Sequence, residues 1–305
     1  MKRVLITGSN GLLGQKLVEL LVQKAGIEVV ATARGHNRLP FTDGYLYCAM
    51  DITNQDEVDA VIARTKPHAI IHTAAMTNVD QCEAEKDACW LQNVTAVEHL
   101  VRACAAHNVF LLHLSTDFIF DGTAGPYTET AAPNPISFYG WSKYAAEKVV
   151  TTAPIRWSIA RTVLVYGIAH DMSRTNIILW VKNSLENNKP IKVVTDQWRT
   201  PTLAEDLAEG CFLIVDQAAE GIFNISGSDF LTPYEMAIKT ADYFGLDESL
   251  ISEADGSSFS QPARRPPRTG FSLDKARQRL GYQPRTFEEG IAILAHQIGV
   301  EAPAA

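Results

Sequence analysis

Apolar residues follow two rhythms along this chain. Short runs dense in Val, Ile and Leu alternate with longer stretches in which apolar positions recur every three or four residues. The first rhythm fits strands buried on both faces, and the second fits amphipathic helices. Arg3–Thr7, Glu28–Ala33, Tyr45–Met50, Ala69–His72 and Val109–Leu114 read as five strands, and Ser158–Gly167 as a sixth with its exit turn. Between them, Gln15–Lys24, Asn54–Arg64 and Ala88–Ala106 carry helical spacing. Asn54 stands where it can cap the second of these helices, and Asn93 is a polar interruption of the third. A strand–helix unit repeating every roughly 25 to 35 residues predicts an α/β fold, a doubly wound parallel sheet of the Rossmann type.

Beyond Gly167 the pattern loosens. Helical spacing returns at Asn176–Asn187, Leu203–Asp216 and Thr232–Phe244, where Thr232 is a cap and Pro233 fills the first turn. Lys192–Val194 and Gly221–Ser226 read as short strands. A tail over 300–305, rich in Ala and Pro, reads as disordered.

Chemistry enters at the first turn. Gly8-Ser9-Asn10-Gly11-Leu12-Leu13-Gly14 lies between a strand and a helix. Bare backbone there lets a pyrophosphate approach, and the helix N-terminus offers N–H groups and positive potential. The Gly-x-x-Gly-x-x-Gly spacing differs from the Gly-x-Gly-x-x-Gly of the usual dehydrogenases, yet its position argues for a dinucleotide site. The second strand ends Ala31-Thr32-Ala33-Arg34, without the carboxylate that NAD sites use for the ribose 2′-hydroxyl. NADPH is therefore favoured, with NADH still open and a solvated surface arginine as the bland alternative. Asp51-Ile52 can flank an adenine, and Thr73-Ala74-Ala75-Met76-Thr77 is a small-residue turn past which a cofactor backbone can run closely. His72 ends an apolar strand and reads as a packed core histidine. Asn93 either satisfies local backbone or holds the catalytic strand in register. Asn10, Ala74, Asn93 and Leu114 complete the expected cofactor contacts.

Ser115-Thr116-Asp117-Phe118 follows the fifth strand, at the edge where ligands bind in open parallel sheets. Tyr139-Gly140-Trp141-Ser142-Lys143 begins a helix that Ser137 can cap, with the phenol and the ammonium one turn apart on one face. An ammonium beside a phenol favours phenolate and eases proton transfer, and a hydroxyl such as Thr116 can polarise the same substrate oxygen. On this reading 1–167 and 203–226 form a dinucleotide-binding domain, and 168–202 and 227–299 a smaller interleaved α/β substrate-binding domain.

Composition narrows the alternatives. The 305 residues are 46% hydrophobic and 20% charged, an ordinary soluble balance. A net charge of −8 without a basic run argues against nucleic acid. Five cysteines with no Cys-x-x-Cys pair fit a reducing cytoplasm, and no residue cluster has metal-ligand spacing. No apolar run approaches the ~20 residues needed to cross a bilayer, and Met1-Lys2-Arg3 leads directly into a strand without a signal peptide. A cytoplasmic protein without membrane partners is expected, and a homodimer is left open.

Taken together, Thr7-Gly8-x-x-Gly11-x-x-Gly14, Tyr139-x-x-x-Lys143 and an interleaved C-terminal region resemble an extended short-chain dehydrogenase/reductase. Ala74-Ala75-Met76-Thr77-Asn78-Val79-Asp80-x-x-Glu83, Ser115-Thr116-Asp117 with Phe118-Ile119-Phe120-Asp121-Gly122, Arg161-Thr162, Val165-Tyr166-Gly167, Asp196-Gln197 and Pro201-Thr202 resemble the dTDP-4-dehydrorhamnose reductase family over nearly the full chain. That resemblance implies reduction of a nucleotide-linked 4-keto-6-deoxy sugar. It implies catalysis by Thr116, Tyr139 and Lys143, and cofactor contacts at Gly11, Leu12, Leu13, Asp51, Ile52, Ala75, Met76 and Thr77. Substrate contacts are expected at Thr77, Thr116, Asp117, Phe118, Tyr139, Leu164 and Arg199. Phe118 stands where the family often has tyrosine, Leu164 where it has tryptophan, and Arg199 where it commonly has glycine, so the sugar can differ. Arg199, Arg264 and Arg265 are candidate clamps for the diphosphate. Two rival functions stay open: a nucleotide-sugar epimerase or dehydratase, and a non-catalytic subunit like the β-subunit of methionine adenosyltransferase. Asp117 is followed by Phe118 rather than by a second acid, which weakens dehydration.

Overall fold

The computed structural model describes residues 1–171, 175–259 and 261–300. β1 (Lys2–Thr7) breaks at Gly8 and leads into α1 (Leu12–Leu21). β2 (Ile27–Ala33), β3 (Tyr45–Ala49), α2 (Gln55–Thr65) and β4 (Ala69–His72) follow close to their expected bounds. Asn54 caps α2, its side chain accepting from the N–H groups of Asp56 and Glu57. After β4 come α3 (Val79–Ala84) and α4 (Lys86–Trp90), then α5 (Ala96–His107) and β5 (Phe110–Thr116). The single helix expected over Ala88–Ala106 is two helices joined by a turn of π-helix, Leu91–Thr95, with Asn93 at its centre. Such turns are rare and tend to mark functional sites, because they re-aim a side chain within a helix.

The second half holds α6 (Phe138–Thr152), β6 (Trp157–Thr162), β7 (Val165–Tyr166), α7 (Ile177–Glu186) and β8 (Ile191–Val194). β9 (Thr202–Leu203), α8 (Ala204–Asp216), β10 (Gly221–Asn224) and α9 (Pro233–Phe244) come next. β11 (Ile251–Ala254), α10 (Asp274–Leu280) and α11 (Phe287–Gln297) complete the described chain. The strand expected over Ser158–Gly167 ends at Thr162. Leu164 has φ +38°, a left-handed backbone that no strand can contain, and Val165–Tyr166 pairs with β9 instead. The tail expected to be disordered lies outside the described residues from position 301 onward.

Seven parallel strands form the main sheet in the order β10-β6-β5-β4-β1-β2-β3. Strand alternation splits its core in two. Val4, Ile6, Val29 and Leu112 pack with residues of α1 and α8 on one face, and Leu5, Val30, Ile70 and Leu111 with α2, α5 and α6 on the other. The order reverses between β1 and β4, so a crevice opens at the C-terminal strand ends there. The C-terminal part has its own apolar cluster, in which Val181, Leu185, Ile191, Val193, Ala237, Ala241 and Ile251 join α7, β8, α9 and β11. No helix among the described residues is long and apolar enough to cross a membrane.

Candidate active site

A cleft of about 950 Å³ runs along the C-terminal ends of β1, β2, β4 and β5. At one end the glycine turn forms its floor. Gly8 has φ +68°, and a Cβ there would lie 2.8 Å from the Ala74 nitrogen. A Cβ on Gly14 would lie 2.2 Å from the Gly8 oxygen, so both positions exclude any side chain. The N-cap of α1, Gly11, supplies no side-chain cap and the first turn carries no acid, which leaves its N–H groups facing the cleft. Gly8, Asn10, Gly11, Leu12, Leu13 and Gly14 all line it. Asn10 ties this turn to the loop after β2: its Nδ2 donates to the His36 oxygen at 2.8 Å and its Oδ1 accepts from Arg38 N–H at 3.0 Å. Arg34 reaches the cleft as expected, and so does Arg38, which the sequence reading missed. Asp51, Ile52, Ala74, Ala75 and Thr77 line the same space, and His72 is buried in the core.

At the other end stand Leu114, Thr116, Asp117, Phe118, Tyr139, Lys143 and Leu164. The first turn of α6 is fixed twice. Ser137 Oγ accepts from Gly140 N–H at 3.2 Å, and Glu83 Oε1 accepts from Phe138 N–H at 2.7 Å, a carboxylate at the positive end of the helix. A Cβ on Gly140 would lie 2.2 Å from the Phe118 oxygen, so this glycine lets the helix sit directly on the strand end. Asn93 braces the arrangement from behind. Its Oδ1 accepts from Met76 N–H at 2.8 Å, and its Nδ2 donates to the Met76 oxygen and to Ser142 Oγ, each at 3.0 Å. Met76 and Asn93, both expected to touch cofactor, lie behind the cleft wall rather than on it. Asn93 joins the turn after β4 to α6, which differs from the strand register it was expected to hold.

Electrostatics correct a second expectation. Burial pushes the Tyr139 phenol well above its usual value, and the neighbouring Thr116 hydroxyl opposes this only in part. At rest the phenol is therefore protonated. Lys143 is itself buried, which lowers it from the usual 10.5 to about 8 against the opposing charge of Glu147. Burial also raises Asp117, while Arg199 and hydrogen bonds from Thr269 and Thr116 oppose the rise. Thr116 Oγ1 donates to Asp117 Oδ1 at 3.0 Å, and Thr269 Oγ1 donates to Asp117 Oδ2.

The arginines expected to clamp phosphate are not on the cleft wall. Arg199 is buried, its Nη1 and Nη2 donating to the Trp198, Pro267 and Pro266 oxygens at 2.7, 3.2 and 2.7 Å. Its Nε lies 3.8 Å from Asp117 Oδ2, so it straps the catalytic strand end to the 266–269 loop. Arg265 is clasped by Asp80 through two hydrogen bonds of 3.1 and 2.7 Å, and Arg268 lies over the Trp198 ring at 5.0 Å. Arg264 is exposed. Short-range sequence patterns could not show these engagements, because Asp117 and Asp80 are remote in the chain.

Residues 1–299 match the model of the RmlD substrate binding domain family. The chain belongs to the dTDP-4-dehydrorhamnose reductase (RmlD) family. A dTDP-4-dehydrorhamnose reductase of Aggregatibacter actinomycetemcomitans is 31% identical over 303 residues, covering 95% of this RmlD-family chain and 97% of the relative. Methionine adenosyltransferase 2 subunit beta of Mus musculus is also 31% identical, over 95% of this chain and 86% of its own length. Among solved structures, a dTDP-4-dehydrorhamnose reductase from Bacillus anthracis in complex with NADP superposes with a TM-score of 0.83. It is 28% identical, with 97% of this chain and 100% of that one covered. The relatives of this RmlD-family chain thus include proteins named as reductases and others named as subunits of a different enzyme.

Proposed function

We propose that this protein reduces the keto group of a nucleotide-linked 4-keto-6-deoxy sugar with NADPH. The observation that carries the proposal is the placing of Thr116, Tyr139 and Lys143 on the wall of a cleft whose far end is the side-chain-free glycine turn. The residues fit the cofactor. Gly8, Gly11 and Gly14 leave room for a pyrophosphate, and Arg34 and Arg38, with no acid at the end of β2, suit a 2′-phosphate. The Ser115 hydroxyl, buried without a partner among the described residues, opens on the same cleft. When bound, NADPH supplies the hydride that goes to the carbonyl carbon.

The protein's own groups handle the oxygen. Tyr139, held protonated by burial, gives its proton to the developing alkoxide. The Thr116 hydroxyl, which donates to Asp117 Oδ1 at rest, can turn to the substrate oxygen and hold it more strongly as charge develops there. The Lys143 ammonium favours the phenolate that Tyr139 becomes, against a burial that keeps the phenol protonated at rest. Phe118 and Leu164 give the sugar side an apolar wall, which suits a deoxygenated C6. On this reading 1–167 and 203–226 hold the cofactor, and 168–202 and 227–299 hold the sugar nucleotide.

A panel of nucleotide-linked keto sugars, followed by loss of NADPH absorbance, tests the proposal. Net cofactor consumption is expected. Isomerised product without consumption would indicate an epimerase. Silence across the panel with NADPH binding retained would favour a regulatory role like that of the adenosyltransferase subunits.

A further inference from the structure

On the sheet face under α6, polar side chains gather toward the C-terminal strand ends. Strand alternation puts Thr7, His72 and His113 on the same face as Leu5, Ile70 and Leu111, and the three are direct register partners across β1, β4 and β5. The row is joined side to side. Thr7 Oγ1 meets His72 Nδ1 at 2.7 Å, and the two imidazoles stack at 5.3 Å between ring centres. At its end, Lys143 Nζ lies 3.3 Å from His113 Nε2.

This contact matters because Lys143 has no carboxylate partner among the described residues. Glu147 stands one turn along the same helix, where an i, i+4 pair would form. Both its oxygens are instead taken by Arg161, whose Nε and Nη2 donate at 2.9 and 2.7 Å. Lys143 and Glu147 are each less than 5% exposed. The buried ammonium therefore rests on an imidazole. Burial keeps both histidines neutral, so Nε2 of His113 is the acceptor and Nδ1 carries the hydrogen. That Nδ1 is buried without a partner among the described residues, a cost borne to keep Nε2 free for the lysine. One of the ammonium's three hydrogens is thereby directed into the sheet, leaving two for the cleft.

We infer that His113 is the positioning residue for Lys143: its Nε2 fixes the ammonium on the cleft wall and helps it stay charged. The inference rests on the reductase reading for its kinetic consequences, though not for its geometry. The groups that face the pair from the surrounding elements are His72 on β4, Glu147 and Tyr139 on α6, and Cys89 on α4. Of these Glu147 is paired by Arg161, and Cys89 is drawn down to about 7 by hydrogen bonds from Cys82, Ser142 and Asn93, so its thiol titrates beside the lysine. An acceptor that favours the charged lysine raises its titration point, so loss of the acceptor lowers it.

Two variants separate positioning from packing. His113→Leu keeps bulk and removes the acceptor, and His113→Gln restores an acceptor oxygen. Keto-sugar reduction is measured across pH with each, beside an NMR titration of nitrogen-labelled Lys143 in the NADPH-free protein. The Leu variant should lose about 10- to 100-fold in kcat/KM, the loss expected for one hydrogen bond to a charged group. Its alkaline activity limb and its lysine titration should both move to lower pH, and the Gln variant should recover most of each. A Leu variant with unmoved lysine titration, or Leu and Gln variants equally impaired with the wild-type pH limb, would overturn the inference. If the wild-type protein reduces no keto sugar, the reductase reading fails, and the lysine titration alone still decides the role of His113.

Discussion

The two ends of the cleft are built from different materials. At the nucleotide end the wall is backbone: glycines with no room for a Cβ, the open first turn of α1 and small residues after β4. At the reaction end the wall is side chains, and Tyr139, Lys143, His113 and Asp117 are all buried and all shifted from their usual titration ranges. Backbone recognises a diphosphate at little cost in desolvated charge, whereas proton transfer needs groups whose charge can change. The first end therefore tolerates no added atoms, and the second tolerates no lost ones.

The largest effect that can test this contrast is the loss of one atom at the reaction end. Tyr139→Phe should lower kcat by about 10²- to 10⁴-fold with NADPH affinity kept, as calorimetry and steady-state kinetics together can show. The converse is one added group at the nucleotide end. Gly14→Val would press a side chain to within 2.2 Å of the Gly8 oxygen, and should weaken NADPH binding by roughly 100-fold or more, seen by calorimetry. Replacing Arg34 and Arg38 together with Ala should lower NADPH affinity about tenfold and leave NADH affinity unchanged, which would sharpen the basis of cofactor choice. Equal losses for both nucleotides would remove these arginines from the 2′-phosphate.

Stability gives the smallest effect, and its sign is set by burial. Lys143 titrates near 8 in the folded protein against 10.5 in solvent, so the unfolded chain binds more protons between those values. The buried charge thus costs stability in full below pH 8, and the cost fades as pH rises to 10.5. Lys143→Met should abolish turnover yet raise Tm at neutral pH, by an amount of the order of 5 °C. The gain should shrink in alkaline melts. A Met variant destabilised at every pH would mean that the ammonium is better solvated than its burial implies.

Much of this was legible in the sequence, for local reasons. The β1–turn–α1 unit, the caps of Asn54, Ser137 and Thr232, and the i, i+4 spacing of Tyr139 and Lys143 are written in consecutive residues. What was not legible depends on partners far along the chain. Arg199 reads as a free cation until Asp117, Pro266 and Pro267 close around it. Asn93 reads as a flaw in a helix until the π turn carries it to Met76 and Ser142. His113 sits inside an apolar strand, and only its alternation with Leu111, together with the placing of α6 over that face, brings it to Lys143. The break at Leu164 had no signal in composition, since its β-branched neighbours extend the strand pattern through it.

The central claim is that this cleft joins a hydride donor to a keto sugar under a protonated tyrosine. Mass spectrometry of the sugar product after turnover with NADPH deuterated at the transferring position tests it directly. One deuterium on the former carbonyl carbon, formed by the wild-type protein and suppressed in Tyr139→Phe, is the predicted result. Product without label, or label transfer at the wild-type rate without the phenol, would contradict it.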